Sequence, residues 1–199
     1  MGHRRGIYLT TITEIQKCLE RYSPKTVVKN GLTEASVLIP LVSQEESLHL
    51  LFTVRTEDVE HHKGQVSFPG GAREPEDQNH VSTALRETFE ELSLPPEKVS
   101  ILGKINDMWT PTGFIVSPVV GYIPKLPDLI PQPSEVSDYF TVPLDYFLDD
   151  SNGYKEKYQR TENGEEVDVW FYEYGEYTIW GVTAFIIRDF KAIMEECRV

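Results

Sequence analysis

The spacing of apolar residues changes several times along this chain, and each change marks an element. Over 12–22 the apolar positions recur at helical intervals and stop at Ser23-Pro24, which predicts a short helix. Positions 35–42 and 48–54 are apolar and rich in branched side chains. The polar Ser43-Gln44-Glu45-Glu46-Ser47 between them predicts a hairpin or two neighbouring strands. A polar loop over 55–66 leads into Ser67-Phe68-Pro69-Gly70-Gly71, a turn signal. Val81, Ala84, Leu85, Thr88, Phe89 and Leu92 then fall at helical spacing, and Pro95 and Pro96 end that helix. Strands are predicted over 101–108 and 116–123, joined by a loop carrying Pro111-Thr112-Gly113-Phe114. Pro124, Pro127, Pro131 and Pro133 make 124–133 an extended connection. A strand follows over 167–174, with 176–179 turning back beside it, and the period becomes helical again over 180–196. Helices and strands mix without a regular βαβ repeat, so the predicted fold class is α+β.

The chain has 199 residues, 40% of them hydrophobic, which suits one packed core. Thirty-two acidic residues face nineteen basic ones, a formal net charge of −13. That balance argues against nucleic-acid partners and against electrostatic attachment to anionic membranes. A negatively charged ligand would need local cations or a bound metal ion to approach. No apolar run reaches the roughly 20 residues that span a bilayer, and the start, Met1-Gly2-His3-Arg4-Arg5-Gly6, has neither the apolar segment of a signal peptide nor the pattern of a myristoylation site. The location expected is cytoplasmic. Cys18 and Cys197 are expected as free thiols in a reducing cytosol, a disulfide between them being the alternative.

The chemistry concentrates in Arg86-Glu87-Thr88-Phe89-Glu90-Glu91. On a helix Glu87 lies one turn from Glu90 and Glu91, so three carboxylates share a face with one neighbouring cation, Arg86. Such a face is either solvated or holds a hard divalent cation, which prefers oxygen ligands and bridges to substrate phosphates. Gly70-Gly71 upstream lets backbone approach a ligand and could offer a carbonyl oxygen.

These residues resemble the box of the Nudix hydrolases, G-x5-E-x7-R-E-U-x-E-E-x-G-U with U apolar. Arg86, Glu87, Glu90 and Glu91 match it, whereas Asp77 and Ser93 stand where the box has glutamate and glycine, and eight residues separate Asp77 from Arg86. Leu51-Phe52-Thr53-Val54-Arg55 and Gly64-Gln65-Val66-Ser67-Phe68-Pro69-Gly70-Gly71 resemble the extra signature of the coenzyme A diphosphatases, as do Gly70, Gly71, Asp77, Ala84, Leu85, Arg86 and Glu87 in their mutual spacing. The likeness continues through Thr112-Gly113-Phe114, Pro118-Val119-Val120-Gly121 and Ile179-Trp180-Gly181-Val182 and covers about 35–190. Glu60 stands where that signature has arginine.

The resemblance implies an α/β/α sandwich around a mixed central sheet, with 1–30 as an N-terminal extension bearing a short helix and 31–199 as the hydrolase domain. It implies metal-dependent hydrolysis of the diphosphate in coenzyme A to adenosine 3′,5′-bisphosphate and phosphopantetheine. Glu87, Glu90 and Glu91, helped by the Gly71 carbonyl, would hold Mg2+ or Mn2+, and Arg86 would orient the glutamates. The general base would be a metal-bound glutamate or an outside acid, with Glu135 the first candidate. Arg55 and Lys63 are the candidate phosphate binders, and Gly70 and Gly71 the backbone approach. Trp109 and Phe114 are read as stacking on substrate or packing in the core. His61-His62 is rejected as a metal site. The aromatic strand of Trp170, Phe171, Tyr172 and Tyr174 belongs to the core or to a homodimer interface. Rival readings are a Nudix hydrolase of another nucleoside diphosphate derivative such as ADP-ribose, or a non-catalytic nucleotide-binding module.

Overall fold

The computed structural model describes residues 11–56, 64–159 and 166–197. In chain order the helices are α1 (Ile12–Arg21), α2 (His80–Leu92), α3 (Leu144–Leu148) and α4 (Gly181–Glu196). The strands are β1 (Thr33–Gln44), β2 (Ser47–Arg55), β3 (Val66–Ser67), β4 (Gly70–Ala72), β5 (Ser100–Lys104), β6 (Met108–Trp109), β7 (Phe114–Ile123), β8 (Val136–Pro143), β9 (Gly153–Gln159), β10 (Glu166–Tyr174) and β11 (Tyr177–Trp180).

The continuous apolar run of β1 is buried on both faces, which suits a central strand. β2 returns antiparallel to it, with Gln44 opposite Ser47, through a tight turn in which Glu45 and Glu46 take φ of 48° and 64°. β7 runs parallel to β1 from Thr33 opposite Phe114 to Val42 opposite Ile123, so the sheet is mixed. β5 and β6 extend it beyond β7, and β8 lies on the far edge of β2. Leu38, Val42 and Leu51 meet Ala84 and Leu92 of α2 on one face. Ile39, Leu41 and Phe52 meet Ile15 of α1, Phe147 of α3 and Ile186 and Phe190 of α4 on the other. The expected α/β/α layering around a mixed sheet is therefore what the chain adopts.

One local feature positions the functional residues. β1 pairs with β2 over 41–44 but with β4 over 35–37, while the far end of β2 pairs instead with β3. The sheet thus splits, and the turn between β3 and β4 fills the split with Gly70 and Gly71 against β1.

Three differences from the sequence pattern have physical causes. The strand expected over 101–108 breaks after Lys104, because Asn106 and Asp107 bond to the segment following α1: the Lys25 amide donates to Asn106 Oδ1 at 2.8 Å and the Val27 amide to Asp107 Oδ2 at 3.0 Å. β9 was not expected; six of its seven residues are exposed, so it has no apolar period to read. The cysteines expected as free thiols are bonded, Cys18 to Cys197 with Cα atoms 5.6 Å apart. Cys18 shares the buried stripe of α1 with Ile15 and Leu19, and that stripe packs on α4. In the aromatic strand, Phe171 and Tyr172 are buried, and the Trp170 ring centroid lies 5.0 Å from Lys155 Nζ and 3.6 Å from Arg188 Cζ. Among the described residues no helix is long and apolar enough to cross a membrane.

Candidate active site

α2 begins at Asn79, whose side chain accepts from the Val81 and Ser82 amides, while Ser82 Oγ accepts from the Asn79 amide. It ends at Ser93, left-handed at φ 54° and ψ 29°, in the place of the glycine of the box. The Pro-rich connection over 124–135 then docks on this end: the Ile130 and Gln132 amides donate to the Leu92 and Glu91 carbonyls at 3.0 and 2.8 Å. These bonds satisfy carbonyls that a helix C-terminus leaves open. The same connection leads to Glu135, whose carbonyl accepts from the Thr56 amide at 2.9 Å beside the end of β2.

The three glutamates do not share one environment. Glu91 is 3% exposed, and its Oε2 accepts from the Gly70 amide at 3.2 Å. Burial pushes its carboxyl up to about 8; the Gly70 bond and the Arg55 charge oppose this, and Glu87 and Glu135 add to it. Glu87 is also raised, first by burial, against the pull of Arg86 and with the push of Glu90 and Glu135. Its carboxylate lies so close over Gly71 that a Cβ there would come within 2.5 Å of Glu87 Oε2. Glu90 points outward, half exposed, with Oε2 2.9 Å from Arg86 Nη1.

Arg86 ties this face together. Its Nε and Nη2 form a fork on Asp77 at 3.1 and 3.0 Å, Nη2 also meets Glu87 Oε1 at 3.0 Å, and Nη2 donates to the Ala72 carbonyl at 3.0 Å. The Arg86 fork holds the Asp77 carboxyl down at about 2, and the Glu74 amide adds a second bond at 2.9 Å. The Arg86 guanidinium is correspondingly pushed up. Asp77 enters the sequence pattern as a departure from the general box and as a member of the coenzyme A diphosphatase spacing, with no role assigned to it. Its contact with Arg86 spans a loop and follows no helical or strand period, so spacing alone did not reveal it.

Arg55 ends β2 with its Nε buried and, among the described residues, without a hydrogen-bond partner. Its charge reaches Glu91. The structure thus brings together Glu87, Glu91, Arg55, Gly70, Gly71 and Glu135. Trp109 sits elsewhere, on β6 beyond β1 and β7 from β4, with Lys29 Nζ 4.7 Å from its ring centroid. Phe114 packs against the core on the opposite face from α2. Glu60, His61, His62 and Lys63 lie outside the described residues.

Among the described residues, no three carboxylates or imidazoles already surround one point. The donor chemistry nevertheless fits a hard cation: Glu91, Glu87 and Glu135 repel one another, and Glu91 is buried with no cationic side chain among the described residues bonded to it. An all-oxygen set with excess negative charge is what Mg2+ and Mn2+ take.

A family model of the NUDIX domain matches residues 32–171. The uncharacterized Nudix hydrolase NudL of Photorhabdus laumondii is 38% identical over 166 residues, covering 83% of this chain and 87% of that protein. The protein of the same name from Enterobacter sp. (strain 638) is 44% identical over 158 residues, covering 78% and 80%. The solved structure of a MutT/nudix family protein from Enterococcus faecalis matches with a TM-score of 0.56 at 16% identity, over 93% of this chain and 70% of that one. A NUDIX hydrolase from Alicyclobacillus acidocaldarius matches at 0.55 and 16% identity, over 83% and 93%.

Proposed function

The chain belongs to the Nudix hydrolase family, enzymes that act on diphosphate bonds, and on that premise we propose that it cleaves the diphosphate of coenzyme A or its derivatives. The products would be adenosine 3′,5′-bisphosphate and (acyl-)phosphopantetheine. The observation that carries this reading is the meeting of three segments. Arg55 of the first upstream motif, Gly70 of the second and Glu91 of the helix converge, and the same two motifs resemble the coenzyme A diphosphatases.

In this reading Glu87, Glu90 and Glu91, with the Gly71 carbonyl, hold Mg2+ or Mn2+. Bound there, the cation would neutralise phosphate oxygens and make water a better nucleophile. Glu90 must leave Arg86 to take part, and the Arg86 fork on Asp77 stays behind to fix the helix face. Glu135 accepts the proton of the attacking water, or a glutamate of the helix does. The oxygen of that water bonds to phosphorus as the bridging P–O bond breaks, and the departing phosphate carries the electrons away. Arg55, whose Nε has no hydrogen-bond partner among the described residues, and Lys63 meet the phosphates. Trp109 and Phe114 have no part in this reading. A cytoplasmic homodimer belongs to the same reading, and light scattering on the purified protein tests the assembly.

The deciding experiment is product analysis with Mg2+ or Mn2+ and separate incubations with coenzyme A and ADP-ribose, with Glu91→Gln alongside. Adenosine 3′,5′-bisphosphate from coenzyme A, absent in the variant, supports the reading. Turnover of ADP-ribose alone overturns the substrate assignment and leaves the family.

A further inference from the structure

The proposed chemistry makes no use of the segment over 11–29, yet this segment is held in an unusual way. α1 opens on a capping box, Thr11 with Glu14. It buries Ile15, Cys18 and Leu19 and is otherwise largely exposed. A ten-residue helix does not hold itself together in water. Its attachment continues past its end as a line of polar bonds. Tyr22 Oη and the Lys25 amide both donate to Asn106 Oδ1 at 2.8 Å, and Asn106 Nδ2 donates to Asp189 Oδ1 of α4 at 3.0 Å. The Asp107 amide donates to the Lys25 carbonyl at 2.9 Å, and Asp107 accepts from the Val27 amide and from Ser117 Oγ of β7. The line ends with Lys29 over Trp109. Across the other end lies the Cys18–Cys197 bond, joining positions 179 residues apart.

We infer that residues 11–29 form a strap latched to the domain by this disulfide, and that exchange with a dithiol reductant releases it. Cys197 is the exposed partner, the residue that caps the C-terminal end of α4, and Cys18 is buried. A thiolate of the reductant attacks Cys197 Sγ, the S–S bond breaks, and Cys18 leaves as a thiolate that takes a proton. The second thiol of the reductant then displaces Cys197 as a thiol and departs within a closed disulfide. Two electrons pass from the reductant to the cysteine pair. While the bond stands, Cys18 cannot move away from the end of α4, so α1 has nowhere to unfold to. Once it is cut, the strap keeps the buried Ile15, Cys18 and Leu19, the partly buried Ile12 and Tyr22 and a short line of polar bonds, a small attachment of the kind that opens locally.

Hydrogen exchange read by mass spectrometry tests this on the full chain, before and after dithiothreitol, with Cys197→Ser in parallel. Reduction is expected to accelerate exchange over 12–27 by about tenfold or more while leaving α2 within about twofold. Cys197→Ser is expected to match the reduced protein and to ignore dithiothreitol. Unchanged exchange over 12–27 on reduction overturns the inference. So does equal acceleration in α2, which would make the bond a staple of global stability only, and so do two free thiols titrated in the folded, unreduced protein.

Discussion

Replacing Gly71 by alanine separates the geometry of the site from the stability of the fold. Gly71 does not have a left-handed φ, so its backbone accepts a side chain. The added Cβ would meet Glu87 Oε2 at 2.5 Å, Cδ at 2.6 Å and Oε1 at 2.7 Å. Ordinary contact begins near ~3.5 Å, so the carboxylate must retreat by about 1 Å. It can do so because it ends a flexible chain, and the movement disturbs the 3.0 Å contact with Arg86 Nη2. The stability change should therefore stay within about 1 kcal/mol, since a glycine-to-alanine change also restrains the unfolded chain. Activity should not survive as well: a misplacement of about 1 Å in catalytic geometry costs roughly 10²-fold in kcat, about 2.7 kcal/mol of barrier. Gly70→Ala is the counterpart. Gly70 has φ 154°, and its Cβ would lie 2.3 Å from the Ser36 carbonyl oxygen and 2.6 Å from Val37 Cα, both backbone. That variant should lose stability outright. Thermal melts and diphosphatase kcat on both proteins make the comparison. A Gly71→Ala enzyme with wild-type kcat, or one that melts as early as Gly70→Ala, refutes the argument.

Other consequences follow from the same geometry. Glu91→Gln should lose most turnover yet be the more stable protein at pH 9 without divalent cations. The Glu91 carboxyl is raised from 4.5 to about 8, so its stabilisation is complete below pH 4.5 and lost as pH rises through 8. Melting curves of the cation-free wild type should fall across that window, the variant's should be flatter, and added Mg2+ should restore the wild type at pH 8. Asp77→Asn should lose about 2 kcal/mol at pH 7, roughly 5 °C in Tm. The native Asp77 is lowered from 3.8 to about 2, so its contribution is present above pH 4 and disappears as pH falls through 2; equal acid sensitivity of variant and wild type would contradict it. Ser93→Gly should raise stability by up to about 1 kcal/mol with unchanged kcat, because Ser93 holds φ 54°. A denaturant titration reads that gain.

Where one face of an element is apolar and the other polar, the sequence was legible. α2 announces itself through Ala84, Thr88 and Leu92, and helical spacing alone sets Glu87, Glu90 and Glu91 within one turn of each other. β1 and β7 announce themselves by continuous burial. β9 was not legible because six of its seven residues are exposed and set no apolar period, and the break after Lys104 was not legible because its cause lies in Lys25 and Val27, far away in the chain. The likeness of the box and of the upstream motifs named the family from these residues, but it could not say that Phe114 packs in the core away from α2 while Arg55 reaches Glu91.

The sequence by itself determined the elements that carry their own period and the identity of the charged groups on α2. Both are local properties, decided by which side chains recur every two or every 3.6 residues. Tertiary structure alone decided which carboxylate is strained. Glu87, Glu90 and Glu91 look equivalent along the helix, but the β3–β4 turn in the split between β1 and β2 brings the Gly70 amide to Glu91, Arg86 turns Glu90 outward, and the Pro-rich connection brings Glu135 back beside Glu91. Burial and the sign of nearby charge set a carboxylate's proton affinity, and both depend on what the rest of the chain places around it.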